Sequence, residues 1–305
     1  MAEADLWTEE CALGYARKAL AGFGFTSVPL RLVSFRQNAL FHASEHGLLL
    51  RIYSPFEDPA KSAFTVDVAR RLALAGFAAQ RLHSLALTAL VEVDGVSVSA
   101  WEWLDESGHA DSDFAAFGHL LRQFHDLDLP LPDPVPVFDP LARIERRLKR
   151  LQAPDALPSI HLQQLMAEFE RLREHRYELH ESELGWCTIH GDALRGNAIS
   201  TSSGLKLIDF DSVCKGPREW DLAPTWISAR RYGLGASVIE DFARGYGVST
   251  DEVERLELAI AVKELSMLVV LALRYRENAD KAADLDRRLQ ALAAGETAAL
   301  WTAAS

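Results

Sequence analysis

The run His190-Gly191-Asp192-Ala193-Leu194-Arg195-Gly196-Asn197, followed by Leu207-Ile208-Asp209-Phe210-Asp211, constrains this chain more than any other feature. It offers a carboxylate at Asp192, an amide five residues on at Asn197, and a second carboxylate at Asp209. An amide oxygen and a carboxylate are hard donors, suited to a Mg²⁺ ion whose other octahedral positions go to phosphate and water. The remaining carboxylate is then available to orient or deprotonate an attacking hydroxyl, and phosphoryl transfer needs this set of three. Either fragment alone reads as a turn or a strand end, because short motifs match by chance. Together, in order, and flanked by strand-like Trp186–Ile189 and Leu205–Ile208, they predict three polar groups gathered at one edge.

The 305 residues suffice for two lobes with separate cores. A net charge of -12 disfavours nucleic acid or an anionic membrane as partner and points instead to a neutral or amine-bearing small molecule. Cys11, Cys187 and Cys214 are odd in number, far apart and without Cys-x-x-Cys spacing, as expected of incidental or buried thiols in a reducing cytoplasm. Met1–Glu10 is acidic and lacks an apolar stretch, so no secretory signal is expected there. Leu265–Leu273 is the most apolar run but is too short to span a bilayer, and is expected to be a buried helix.

Periodicity predicts an amphipathic helix over Leu6–Phe23, then strands Leu30–Phe35, Leu40–Ala43 and Leu48–Tyr53. A helix over Ser62–Ala75 and a hairpin of Val91–Val93 with Val96–Trp101 follow, the latter turning on Asp94-Gly95. Beyond Asp113 the pattern is helical: Ser112–Leu127, Pro140–Leu151, Ile160–Leu179, Ala236–Tyr246, Asp251–Asn278 and Asp280–Ala294. The expected class is α+β: a small antiparallel sheet with one helix (1–101), a crossing segment (102–110), and a larger, mostly helical part (111–305).

The stretch IHGDALRGNAI…LKLIDFDSVCKGPREWDLA resembles the aminoglycoside phosphotransferase-like family, small-molecule kinases with a protein-kinase-like two-lobe fold. The family loop reads His-Gly-Asp, four residues, Asn, and its metal strand reads Ile-Asp-Phe. The resemblance implies that Asp192 is the catalytic base and that Asn197 and Asp209 are Mg²⁺ ligands. It makes His190 loop-organising and implies that Asp221, in Trp220-Asp221-Leu222-Ala223, braces the loop. The cosubstrate it implies is ATP or GTP.

The chain has no Gly-x-Gly-x-x-Gly. The loop expected over the phosphates is Val33–Asn38, where the resemblance rests on Asn38. Arg51 occupies the strand position that carries Lys in many kinases. Its fork keeps the positive charge but changes the geometry of phosphate contact. Its expected helix partner is Asp67, with Glu57 or Asp58 as substitutes. Backbone groups around Glu102–Leu104 are expected to meet an adenine edge. His125 is expected to be a hydrogen-bonded structural residue.

Asp211 could assist a second Mg²⁺, contact a cationic acceptor or end the strand. Arg195 could face the transferred group or stabilise the loop. The acceptor is expected among the C-terminal helices near Trp226. An aminoglycoside, choline, homoserine, an amino sugar or a macrolide would all suit the resemblance. Two further readings stay open, a catalytically degenerate nucleotide-binding protein and a metal-dependent phosphoesterase using His190, Asp192, Asp209 and Asp211. The sequence leaves monomer and homodimer unresolved.

Overall fold

A computed structural model of the chain describes residues 7–26, 28–107, 113–127, 129–250, 256–296 and 300–301. The end of the expected crossing (108–110), the expected helix start at Ser112 and the expected helical residues 251–255 lie outside this set. The chain divides into two compact units. The first takes the described residues up to 107, Leu129–Pro134 and Gly196–Val213. The second takes 113–127, Val135–Arg195 and the described residues from Cys214 onward. The segment bearing Asn197, Asp209 and Asp211 thus groups with the sheet, not with the helical part to which its sequence position assigned it.

In the first unit, β1 (Arg31–Phe35), β2 (Ala39–Ala43), β3 (Leu48–Ile52), β4 (Leu90–Val93) and β5 (Val96–Glu102) form one antiparallel sheet in the order β1-β2-β3-β5-β4. Period-2 alternation decides its faces. Phe41, Leu50 and Ala100 are cross-strand neighbours in one register row, and all are buried. Helix α1 (Glu9–Gly22) lays Ala12, Ala16, Ala19 and Leu20 into the same core, and Thr8 caps its N-terminus by accepting from the Cys11 amide at 3.2 Å. Helix α2 (Pro59–Leu74) starts three residues before the predicted Ser62. Asp58 caps it through the Ala60 amide at 2.9 Å, and Pro59 sits where a missing N–H costs nothing.

The second unit holds α3 (Phe114–Asp126), α4 (Pro140–Leu151), α5 (Ser159–Glu174), α6 (Glu219–Arg231), α7 (Ala236–Tyr246), α8 (Leu256–Leu273) and α9 (Ala279–Ala293). Strands β6 (Trp186–Ile189) and β9 (Cys214–Pro217) pair as an antiparallel ribbon. In the first unit β7 (Ala198–Thr201) pairs with β8 (Gly204–Leu207). The two strands expected to flank the site, β6 and β8, therefore belong to separate ribbons. Helices α3 and α7 approach backbone to backbone. A Cβ at Gly118 would lie 2.3 Å from the Phe242 carbonyl, and one at Gly245 would lie 1.9 Å from that of Ala115. Among the described residues no helix is long and apolar enough to cross a membrane.

Candidate active site

Strand β3 turns Leu48, Leu50 and Ile52 toward the α1 core and Arg51 to the opposite face. The Arg51 guanidinium donates through Nη1 to Asp209 at 3.1 Å and through Nη2 to Asp211. The Thr65 hydroxyl of α2 lies 3.0 Å from Asp211 Oδ1, and Lys61 Nζ lies 3.9 Å from its other oxygen. The expected Arg51–Asp67 pair does not form. Asp67 instead accepts from Arg70 at 2.9 Å on the half-exposed side of α2, three residues along the helix. Glu57, one expected substitute, pairs with Lys61, and Asp58 is the α2 cap. Burial pushes the Arg51 pKa down, but the charges of Asp211, Tyr53 and Asp209 outweigh it and hold the group above its ordinary value. Burial and the neighbouring Asp209 push Asp211 up, while Arg51 pulls it down. Burial also raises the Tyr53 phenol to about 12.

Asp209 has φ 65°, a left-handed conformation that a non-glycine residue holds only at some cost and that concentrates at functional positions. Its side chain is 40% exposed while still bonded to Arg51. The Ile208 amide donates to the Asn197 carbonyl at 2.9 Å, which places Asn197 alongside the residue preceding Asp209. One amide and one accessible carboxylate at the same end of the β7–β8 ribbon are a donor set that fits a Mg²⁺ carried by phosphates. Among the described residues no three His, Cys, Asp or Glu side chains gather into a metal cage, so the phosphoesterase reading gains no support.

Asn38 accepts from the Ser54 amide at 3.2 Å through its side chain, tying the β1–β2 turn to the chain after β3. Both backbone groups of Glu102 are engaged. Its N–H donates to the Arg81 carbonyl at 2.9 Å, and its C=O accepts from Gln80 Nε2 at 2.9 Å. Leu104 makes no backbone hydrogen bond among the described residues, which leaves its N–H and C=O available to a ligand.

In the second unit Asp192 follows β6 in a loop organised from below by Asp221, a fully buried carboxylate near the start of α6. Asp221 accepts from the amides of His190 at 2.5 Å and Gly191 at 2.9 Å, and from His125 Nε2 at 3.1 Å. Gly191 has φ 80°, which its lack of a Cβ permits. The Asp221 carboxylate can only accept, so His125 carries a proton on Nε2, and Nδ1 lies 2.7 Å from the Tyr246 hydroxyl. Burial holds the His125 pKa down, against the pull of the Asp221 hydrogen bond and charge. Burial acts to raise Asp221, yet the His125 hydrogen bond and the charges of His125, His190 and Lys263 bring it below its ordinary value. Trp220 Nε1 donates to the Gly191 carbonyl at 2.9 Å.

Lys263 of α8 escaped notice in the sequence, where it is one charge before an apolar run. It is buried, with Nζ 3.4 Å from the Gly191 carbonyl and 4.0 Å from the centre of the Trp220 ring. Burial lowers its pKa to about 8, against the pull of Asp192 and Asp221. The unfolded chain holds that proton more tightly, so the charged lysine costs the fold stability below pH 8, and the cost is relieved between 8 and 10.5. The stability of the native chain relative to Lys263→Met should therefore rise by up to about 3 kcal/mol over that window. Urea unfolding at pH 7 and pH 10.5 checks this, and a difference independent of pH would contradict it.

Trp226, expected near the acceptor, lies in the core instead. It is buried edge-on to Phe242 at 6.0 Å because α6 turns it toward α7. Arg231 is likewise committed, in a buried pair with Glu264 at 2.6 Å. Arg195 is half-buried in the loop after Asp192.

Residues 32–258 match the phosphotransferase enzyme family, APH, and the chain belongs to that family. A probable choline kinase of Arabidopsis thaliana is 31% identical over 114 residues, a match covering 37% of this chain and only 32% of that protein's length. Among solved structures, an amicoumacin kinase in complex with AMP-PNP, Ca²⁺ and its ligand superposes with a TM-score of 0.75 at 15% identity, covering 97% of this chain and 96% of that one. A microcompartment-associated aminopropanol kinase gives 0.73 at 17%, covering 93% and 99%. At such identities the likeness is one of fold, and it is the kinase-like α+β fold expected from the sequence.

Proposed function

We propose that this chain is a small-molecule kinase that moves the γ-phosphate of ATP, or of GTP, onto a hydroxyl of its acceptor. The observation that carries the reading is Asp192 in a loop whose two preceding amides are pinned by Asp221, within a chain of the phosphotransferase family. Asp192 accepts a hydrogen bond from the acceptor hydroxyl and takes its proton late, as that oxygen bonds to the γ-phosphorus. The bond from the γ-phosphorus to the bridging oxygen breaks, and the nucleoside diphosphate leaves. Asn197 and Asp209 would hold Mg²⁺, which when bound offsets charge developing on the phosphates. Arg51, Asn38 and the free backbone of Leu104 supply nucleotide contacts. Asp67 and Glu102, engaged elsewhere, support the elements that carry them. Asp211 holds Arg51 in place. In this reading 1–101 serve the nucleotide, 102–110 are the crossing, and 111–305 supply the base and the acceptor groups. Three free thiols suit a cytoplasmic setting.

The test is calorimetric titration with AMP-PNP and Mg²⁺, together with a coupled assay for ADP release over a panel of hydroxyl acceptors. Asp209→Ala is expected to weaken Mg-dependent nucleotide binding by at least about tenfold. Unchanged affinity would remove Asp209 as a ligand. Tight nucleotide binding without transfer to any acceptor would favour a degenerate, non-catalytic nucleotide-binding protein.

A further inference from the structure

The sequence of α4, Pro-Leu-Ala-Arg-Ile-Glu-Arg-Arg-Leu-Lys-Arg-Leu, is strongly basic in a chain of net charge -12. Its apolar residues Leu141, Ile144, Leu148 and Leu151 turn into the core. Arg143 and Arg147, four residues apart, then share an adjoining face. Arg147 is half-buried and donates to the Ser266 hydroxyl of α8 at 3.3 Å. Lys263, nearly one turn earlier on α8, lies against the carbonyl of Gly191, the residue before Asp192. Helices α4 and α8 therefore bring Arg147, Ser266 and Lys263 to the loop that carries the proposed base.

Neither arginine is held in an ion pair among the described residues. Arg70, Arg122, Arg171, Arg218, Arg230, Arg231 and Arg244 all have carboxylate partners, and on α4 itself Glu145 is taken by Lys149 at 2.9 Å. Among the described residues no carboxylate lies within ion-pair distance of Arg143 or Arg147. The charges that bear on Arg147 are Arg143, Arg146 and Arg150, opposed by Asp192, and Arg143 also bears on Lys263. Burial, and after it those three cations, hold the Arg147 pKa below its ordinary value. A half-buried guanidinium crowded by like charge is a group that gains from an incoming anion and repels an incoming cation.

We infer that the acceptor carries an anionic group, a carboxylate or a phosphate ester, bound by Arg143 and Arg147 beside Asp192. Arginine forks match the planar carboxylate and the phosphate oxygens alike. The inference rests on the kinase reading and narrows it. It reverses the amine preference drawn from net charge, because the field at a site is set by the groups facing it and not by the sum over the surface.

The experiment is calorimetric titration of the full chain, loaded with AMP-PNP and Mg²⁺, at low salt. The probes are glycerate and glycerol 3-phosphate as anions, glycerol as neutral alcohol, and aminopropanol and kanamycin as amines. At least one anion is expected to bind more tightly than glycerol and both amines. Arg143→Gln and Arg147→Gln should each weaken that binding by about tenfold, with nucleotide affinity and melting temperature retained. The carboxylate and phosphate probes distinguish the two forms of anion. Preference for an amine, absence of anion binding, or anion binding indifferent to both variants would overturn the inference while the kinase reading stands. Failure of AMP-PNP and Mg²⁺ to bind at all would overturn the kinase reading and this inference with it.

Discussion

With Asp192 replaced by alanine, phosphate transfer is expected to fall by ~10²–10⁴-fold, the range over which a positioned general base contributes. Nucleotide affinity should stay within about twofold, because the proposed nucleotide and metal contacts come from Arg51, Asn38, Leu104, Asn197 and Asp209. The loop should survive the change. Its backbone is held by Asp221 through the amides of His190 and Gly191, and the carbonyl of Asp192 still accepts from the Leu194 amide at 2.8 Å. Single-turnover rates and calorimetric nucleotide binding on one preparation separate the two effects. Near-normal transfer in the variant would remove Asp192 as the base, whereas parallel loss of nucleotide binding would mean that the residue acts on the ground state.

Asp221→Ala is expected to cost stability as well as activity, by about 3–5 kcal/mol. The carboxylate is fully buried and takes three donors, so truncation leaves two backbone N–H groups and the His125 ring N–H without an acceptor in a region that water does not reach. The network was also assembled at some expense. Gly118 and Gly245 let α3 and α7 touch backbone to backbone, with His125 and Tyr246 on those two helices. Because the folded pKa of Asp221 lies below its unfolded value of 3.8, its contribution is present in full above that pH. It is lost as pH falls through the still lower folded value. Urea unfolding at neutral pH reads the loss, and an unchanged midpoint would show that the three donors find other partners.

The fold was legible where the pattern is local. Pro140–Leu151, Ala236–Tyr246 and Trp186–Ile189 form over the residues their periodicity marks. Helix α6 was missed because Pro224 sits inside it, a residue that removes one helical hydrogen bond. Strand β9 was missed because Cys-Lys-Gly-Pro has neither alternation nor strand-forming residues. Its pairing with β6 is a tertiary choice, and Gly216 leaves room for Ile189 across the ribbon. The polar residues of the site stand out as a motif, but their partners do not. Arg51 reaches Asp209 and Asp211 across 158 and 160 positions, while Asp67, chosen for its place on α2, is taken by a neighbour on its own helix. The net charge hid the basic face of α4 for a similar reason, since a sum carries no positions.

Phosphorus NMR of the full chain with ATP, Mg²⁺ and whichever acceptor the titrations select tests the central claim most directly. A new phosphomonoester resonance should grow in step with ADP in the native chain and be absent from Asp192→Asn over the same interval. ADP accompanied only by inorganic phosphate, or a phosphomonoester formed equally fast in Asp192→Asn, would contradict the account.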